Sequence, residues 1–588
     1  MVHLLEDVAG ETLYLERPHV FRNPAEFHLC APLQQIPGGY FSLGLTTNAR
    51  LFRLNDVVLD ADRAVLLHDD QAIDDTKYFM PKELHSVPDP TRTIQLPEGP
   101  RYIIGYNTAH ATYHHWLIQC LPAIDWGLQL NRDRPVQLVL PKLAPWQEEM
   151  ISLLGYGEVE RVTVQSGHFY RLPQTEYAEY LNGNTAFNLP TTVLGTARRL
   201  LKRMPYKKSG TRILYVPHTT FFYGRLENES AVIDILRTNG ATILDPRLRI
   251  ADKMSLFRDA DIIIGLHGSD LANILFARPG ALLWEWTPQH YQNVVINRLA
   301  QLSQVDYWGD VLESRPAKDG GHTLSIDLDL FGQRLSDILG RVAERAVGES
   351  LPKMYATVQR DLAPMDHIMS MFQSLGQNCD FGLLQRYARV EPLGLLRFTG
   401  NSLNQLLTAL DDGFSGVGDP ANLRVVLAGE APKREFMVVE RQVGGYHTFI
   451  LEGEMTEDEM RVRQARYLTF LRRKFLEDLR SGEKIWVWRE TTPSSPERIA
   501  HLVDRLRRFG PNRLLWITVD DDTARHGRIE SISPHLIRGY AGPIAADRLN
   551  YTTPLQPWFE ICEKAYRVWR ADLGDVEQTL AMQEYVKP

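Results

Sequence analysis

The stretch DIIIGLHGSDLANILFARPGALLWEW, residues 261–286, decides how this chain is read. The apolar run Ile262–Ile264 predicts a buried strand, and Ala281–Trp286 predicts a second. Between them Gly265 and Gly268 bracket His267, Ser269 or Asp270 is positioned to cap a short helix through Phe276, and Pro279-Gly280 stops that helix. A strand, a glycine turn and a helix N-terminus in succession make an anion site. Backbone N–H groups approach phosphate oxygens closely there, and the helix dipole favours negative charge. Glu285 ends the second strand, where open α/β sheets hold a ligand's ribose hydroxyls. The same spacing fits an ordinary βαβ turn whose glycines only permit tight packing, and pattern alone leaves both readings open.

Outward from this stretch, apolar runs alternate with helical ones. Strands at Arg212–Val216 and Ala241–Leu244 and helices at Glu229–Thr238 and Ala251–Asp259 precede it; Val305–Trp308 and a strand-helix pair within Leu324–Leu339 follow. That alternation predicts a parallel, doubly wound sheet. Arg101–Tyr106, Val136–Leu140 and Val162–Val164, with a helix at Trp146–Leu154, predict another such half, and the basic amphipathic helix Thr191–Met204 bridges the two. Residues 1–98 read as a β-rich segment with a hairpin of Leu51–Asp60 and Arg63–His68. The expected organisation is therefore that segment, an α/β lobe over 99–190, a second over 191–345, a linker over 346–366 containing Gly348, Pro352 and Pro364, and a separate α/β domain over 367–588.

At 588 residues the chain exceeds a single hydrophobic core. Its 44% hydrophobic and 23% charged residues are those of a soluble globular protein, and a formal charge of -8 argues against a nucleic-acid binder. Cys30, Cys120, Cys379 and Cys562 lie far apart without metal-ligand spacing, so neither a disulfide framework nor a zinc site is expected. The acidic N-terminus has no signal-peptide character and no run approaches a membrane span, so the expected location is the cytoplasm, with association at the inner face of the membrane left open.

Gly265, His267, Gly268, Ser269, Leu271, Asn273, Phe276, Pro279, Gly280 and Glu285 stand in the order of a signature, G-x-H-G-(A/S)-x-L-x-N, then F, then P-G and an acidic residue. The stretch thereby resembles family-61 glycosyltransferases of the capsular polysaccharide type, and the likeness extends over roughly residues 50–345. Two upstream segments share it. His115, Trp116, Leu117, Leu121 and Pro122 fit an H-W-(L/F)-x-(D/E)-x-L-P element, with Gln119 where an acid is common; Arg225, Asn228 and Glu229 fit R-x-x-N-E. Pro217-His218 stands where the family often has Ser-Arg. Adjacent helical residues do not share a face, so His114 and His115 are not read as a metal pair. Asp60-Ala61-Asp62 resembles the Asp-x-Asp of metal-using glycosyltransferases but is read as a turn.

The resemblance implies a GT-B-like pair of Rossmann-like domains and an inverting, metal-independent transfer from a nucleotide diphosphate donor, a UDP-sugar first, to a hydroxyl of a glycan or lipid-linked saccharide, without cofactor. His115, expected to face the donor from the opposite lobe and of a residue type that titrates near neutral pH, is read as the general base with Asp125 as the fallback, and donor binding is expected at Arg225, Asn228, Gly265, His267, Gly268, Ser269, Asn273 and Glu285. Further on, Ser374–Cys379 (SLGQNC) and the later His447 resemble a bacterial domain family described as papain-like cysteine peptidases, although PLGLLRF at 392–398 departs from its pattern. A hydrolase or acyl-transfer enzyme with Cys379 as nucleophile, and a non-catalytic carbohydrate-binding scaffold, are the alternatives.

Overall fold

The computed structural model describes residues 4–20, 27–29, 46, 48–77, 88–182, 190–217, 224–291, 293, 295–317, 321–348, 363–430, 434–490, 494–520, 522–543 and 555–571. Cys30, His218, Tyr223 and most of the expected linker lie outside them. The described residues form two compact units. One runs to residue 348 without Pro18–Val20; the other holds Pro18–Val20 and everything from residue 363. The chain is mixed α/β throughout.

The first unit is built on two large sheets and also holds a three-stranded one of Arg225–Leu226, His322–Leu324 and Ser314–Pro316. In the first sheet, Arg101–Ile104, Val136–Leu140 and Arg161–Thr163 run parallel in that spatial order. The strand Phe169–Ala178 pairs parallel with Arg101–Ile104 on one side and antiparallel with Ala49–Asp60 on the other. Ala49–Asp60 continues through an antiparallel hairpin into Val65–His68. The β-rich segment and the first lobe therefore share one nine-stranded sheet, and no boundary falls between them at residue 98. Asp60 serves the hairpin: its Oδ1 accepts from the N–H groups of Asp62 and Arg63 at 3.1 and 3.2 Å.

The second sheet is parallel throughout, in the order Thr242–Ile243, Ile213–Val216, Ile262–Leu266, Leu282–Pro288, Asp306–Leu312, Phe27–Leu29. Its central strands are apolar along their length because helices cover both faces, and every residue of Ile262–Leu266 and Leu282–Pro288 is buried. Trp284, Trp286 and Leu266 lie in one cluster with Leu236, Phe331 and Ile338 from the helices Glu229–Thr238 and Leu328–Gly348.

The second unit centres on a five-stranded sheet, Phe372–Ser374, Ile485–Glu490, Arg513–Val519 and Leu536–Ala541 in parallel, with Ile529–Ser533 antiparallel at the edge. A three-stranded antiparallel meander runs from Leu423 to Leu451. The 25-residue helix Glu457–Ser481 starts at a capping box of Thr456 and Glu459 and stops at Gly482, whose φ of 65° is the left-handed conformation glycine adopts without a Cβ clash.

Gly265 shows what sets the sheet spacing at the site. A Cβ there would lie 2.9 Å from the Val216 carbonyl oxygen and 3.2 Å from the Leu271 side chain. Its glycine is required by packing between neighbouring strands. Gly265→Ala is expected to cost about 1–3 kcal/mol, read as a lower denaturant midpoint against wild type.

Candidate functional site

Parallel pairing brings Gly265 beside Glu285 and Leu283 beside Tyr307. Side chains alternate along a strand, so Gly265, Glu285 and Tyr307 share one face of the sheet. The His267 N–H donates to the Trp286 carbonyl at 2.8 Å, which extends the ladder past the strand end and keeps His267 on the same face as Gly265. The outcome is a fully buried carboxylate with two partners: His267 Nδ1 lies 2.6 Å from Glu285 Oε1, and the Tyr307 hydroxyl donates to Oε2 at 2.7 Å. Glu285 is thus engaged in orienting His267.

The turn after His267 is also committed in detail. Residues Ser269–Phe276 form a 3₁₀ helix whose N-cap is Gly268, and neither Ser269 nor Asp270 caps it. Ser269 Oγ lies 3.1 Å from His114 Nδ1, and Asp270 Oδ1 accepts from Lys253 Nζ at 3.2 Å. Lys253 is buried on the helix Ile250–Asp259, with its ammonium over the Tyr113 ring. Asn273 is fully buried: its amide donates to the Asp270 carbonyl at 2.8 Å, and its Oδ1 accepts from the Tyr113 hydroxyl at 2.6 Å. It locks the turn to the first lobe, which uses up the side chain expected at the donor.

The facing element comes from the first lobe. Tyr113–His115 open a helix that widens into a π-helical turn over Trp116–Cys120 before resuming as Leu121–Leu130. Such widened turns recur at functional sites. The rings of His114 and His115 lie against each other, 3.8 Å between centroids, so adjacency did not keep them apart. Burial, followed by the nearby His115 and His267, pushes His114 well below the ordinary histidine range. Burial also lowers His115, opposed in part by its hydrogen bond to Gln119. Both rings are therefore held neutral, which makes them bases and hydrogen-bond partners but poor cations. Among the described residues, no group of three or more His, Cys, Asp or Glu is arranged to hold a metal ion. Glu149 adds a third tie between the lobes, accepting from the N–H groups of Ile250 and Ala251 at 3.2 and 3.3 Å, where a carboxylate complements a helix N-terminus.

Residues 113–283 match the family model Glycosyltransferase 61. No curated protein matches the chain. The match supports glycosyltransferase activity, and with it a sugar donor and an acceptor as substrates. The glycosyltransferase 61 match contains Tyr113, His114, His115, Lys253, His267 and Ser269, and ends just before Glu285. Of these, Tyr113, His114 and Lys253 were not singled out from the sequence, and Tyr307 lies beyond the matched span. A lysine on an amphipathic helix carries no signal that it will be buried, and Tyr307 is distinguished only by its register opposite Leu283.

Other expected site residues are used elsewhere. Asp125 is fully buried and ion-paired with Arg199, and accepts from Thr196 Oγ1 at 2.6 Å, Tyr156 OH at 2.7 Å and Gln129 Nε2 at 2.8 Å. A carboxylate so saturated clamps the helices Leu121–Leu130 and Thr192–Arg203 together. Asn228 bridges to Ile326 through both amide atoms, at 2.7 and 3.1 Å, and so holds the loop before Leu328. Arg225 is exposed on a two-residue strand paired with Thr323-Leu324. In the second unit Cys379 is the N-cap of the helix Asp380–Tyr387, yet burial and the adjacent Asp380 raise its thiol above the usual range, and His447 is ion-paired with Glu435.

The depressed His114 gives a pH signature. Its unfolded form binds a proton near the ordinary histidine value of about 6.5, whereas the folded form takes one only well below that. The unfolded state therefore holds more protons between those values, and stability present above about pH 6.5 is lost as the pH falls. The thermal midpoint is expected to drop between pH 7.5 and 5, and His114→Gln is expected to flatten that drop.

Asp125→Ala, which strips Arg199 of its buried partner, is expected to cost about 3 kcal/mol, measured by calorimetry.

Proposed function

We propose that the first unit is an inverting, metal-independent glycosyltransferase that moves a sugar from a nucleotide diphosphate, a UDP-sugar first, onto an acceptor hydroxyl. The observation that carries this reading is the buried His267–Glu285–Tyr307 network at the end of a parallel sheet, facing the neutral histidine pair His114 and His115. In open α/β sheets ligands bind at the carboxyl ends of the strands, and His267 follows one such end.

In the proposed reaction His115 removes the acceptor proton as the acceptor oxygen bonds to the anomeric carbon. The bond from that carbon to the diphosphate oxygen breaks on the opposite side, and the diphosphate leaves with the electron pair. Backbone N–H groups of Gly268–Asp270 and the imidazole of His267, which Glu285 orients, hold the developing charge. Lys253 offsets the negative charge of Asp270 beside them. Both carboxylates at the turn, Glu285 and Asp270, already have protein partners, which favours leaving-group stabilisation by side chains and backbone over a metal clamp.

The two large sheets of the first unit correspond in this reading to the lobes of a GT-B-type enzyme. The acceptor is proposed to be a surface polysaccharide or lipid-linked glycan made in the cytoplasm at the inner face of the membrane; no helix among the described residues is long and apolar enough to cross it. The second unit is proposed to be an accessory domain related to the papain-like peptidases. The raised Cys379 thiol and the Glu435 pairing of His447 favour that role over a cysteine nucleophile.

The test is thermal stability of the full chain against UDP-, GDP-, CMP- and dTDP-sugars with and without EDTA, followed by anomer analysis of the product. One nucleotide class is expected to stabilise by about 2.7 kcal/mol at a hundredfold excess over its dissociation constant, unaffected by EDTA. His115→Ala is expected to keep that shift and lose turnover. The absence of any shift with all four classes rejects the reading.

A further inference from the structure

Gln119 sits in the π-helical turn, 1% exposed. Its orientation is set from behind. The backbone N–H of Ala109 donates to Asn107 Oδ1 at 3.0 Å, so the Asn107 Nδ2 faces the other way and donates to the Leu181 carbonyl and to Gln119 Oε1, both at 3.1 Å. Turning the Asn107 amide over would set its oxygen against the Leu181 carbonyl and its nitrogen against a backbone donor. Gln119 must therefore present its oxygen to Asn107, and the same oxygen lies 3.0 Å from His115 Nδ1. Gln119 Nε2 is buried without a hydrogen-bond partner among the described residues, so the side chain is held through its oxygen alone.

An amide oxygen only accepts, and a neutral imidazole donates from one nitrogen and accepts at the other. Facing Gln119 Oε1, Nδ1 of His115 carries the hydrogen and the basic lone pair falls on Nε2. We propose that Gln119 is a positioning residue that fixes His115 in the Nδ1–H tautomer, so that Nε2 is the nitrogen that accepts the acceptor's proton. The last clause rests on the transferase reading; the tautomer does not. A carboxylate here would orient the ring and also stabilise the imidazolium. Glutamine orients it without that charge, so a proton taken at Nε2 is released more readily.

The charged and titratable groups on the elements packed around His115 are His114 on its own turn; His267 with Glu285 and Lys253 with Asp270 in the second lobe; and Glu179 with Arg50 behind the π-helical turn. Each of the carboxylates in that set already has a partner, so a new carboxylate at position 119 is expected to act on His115 first.

The experiment is two-bond ¹H–¹⁵N correlation of ring-labelled histidines in the full chain, with His115 assigned by its loss in His115→Gln. Wild type is expected to show the Nδ1–H pattern. Gln119→Glu, which keeps the Asn107 bond, is expected to retain that tautomer and raise the proton affinity of His115 about tenfold or more. Gln119→Met, of similar length but without an acceptor, is expected to mix the tautomers and lower kcat about tenfold with donor KM unchanged. An Nε2–H pattern in wild type, or an unchanged His115 proton affinity in Gln119→Glu, overturns the proposal. If Gln119→Met does not fold, the glutamate variant decides alone. The ring signals need no substrate, so a chain that turns over no sugar nucleotide would reject the proposed function and leave the tautomer assignment standing.

Discussion

A carboxylate with no exposure to water is costly unless its charge is met by donors, and Glu285 is in that position at the centre of the second sheet. Its two oxygens are met by His267 and Tyr307, and those partners are available only because three parallel strands are in one register. A slip of one residue would turn Glu285 towards the tryptophan face, into contact with Leu266, Trp308 and Phe331. Fold and site are thus specified by the same pairing. The close approach at Gly265 is part of that specification, since the Val216 carbonyl occupies the space where a side chain would project.

The two lobes of the first unit meet through polar contacts that suit neutral groups. Tyr113 and His114 reach across to Asn273 and Ser269, and Glu149 to the N-terminus of the helix at Ile250. The buried ammonium of Lys253 is balanced by Asp270 and covered by the Tyr113 ring. This explains why burial can push both histidines down without stranding a charge: neither ring is asked to be a cation at neutral pH. His267 has a carboxylate, Glu285, as a direct ring partner.

The second sheet was readable from residues because fully buried parallel strands are continuous apolar runs, and IIIGL and LLWEW announce themselves as such. The strand Phe169–Ala178 was not. It contains Pro173 and three charged or amide side chains, which argue against a central strand, yet it lies between two others; Pro173 falls at a position without a ladder partner. The partners of Asp125, Asn228 and Glu285 are not legible in the sequence for one reason. Spacing indicates that a polar side chain stands near a strand or helix end, but what it bonds depends on residues such as Arg199, Ile326 and Tyr307 that are distant in the chain. His115 and Gln119 are four apart on one turn, so their contact is local, whereas the Asn107 and Leu181 groups that orient Gln119 come from two separate loops.

The edge strand Phe27–Leu29 has an implication for how the chain is made. It adds to the second sheet beside Asp306–Leu312, while Phe169–Ala178 joins Ala49–Asp60 to the core of the first. At a synthesis rate of about 5–20 residues per second, the partner of residues 27–29 leaves the ribosome roughly 15–60 s after they do. Through that interval residues 27–29 lack their partner strand, so the second sheet is completed only after Asp306–Leu312 has emerged. The matched span 113–283 lacks Ala49–Asp60 and Arg101–Ile104 of the first sheet and Asp306–Leu312 and Phe27–Leu29 of the second, so as an isolated fragment it would expose open sheet edges: the matched stretch is smaller than what can fold.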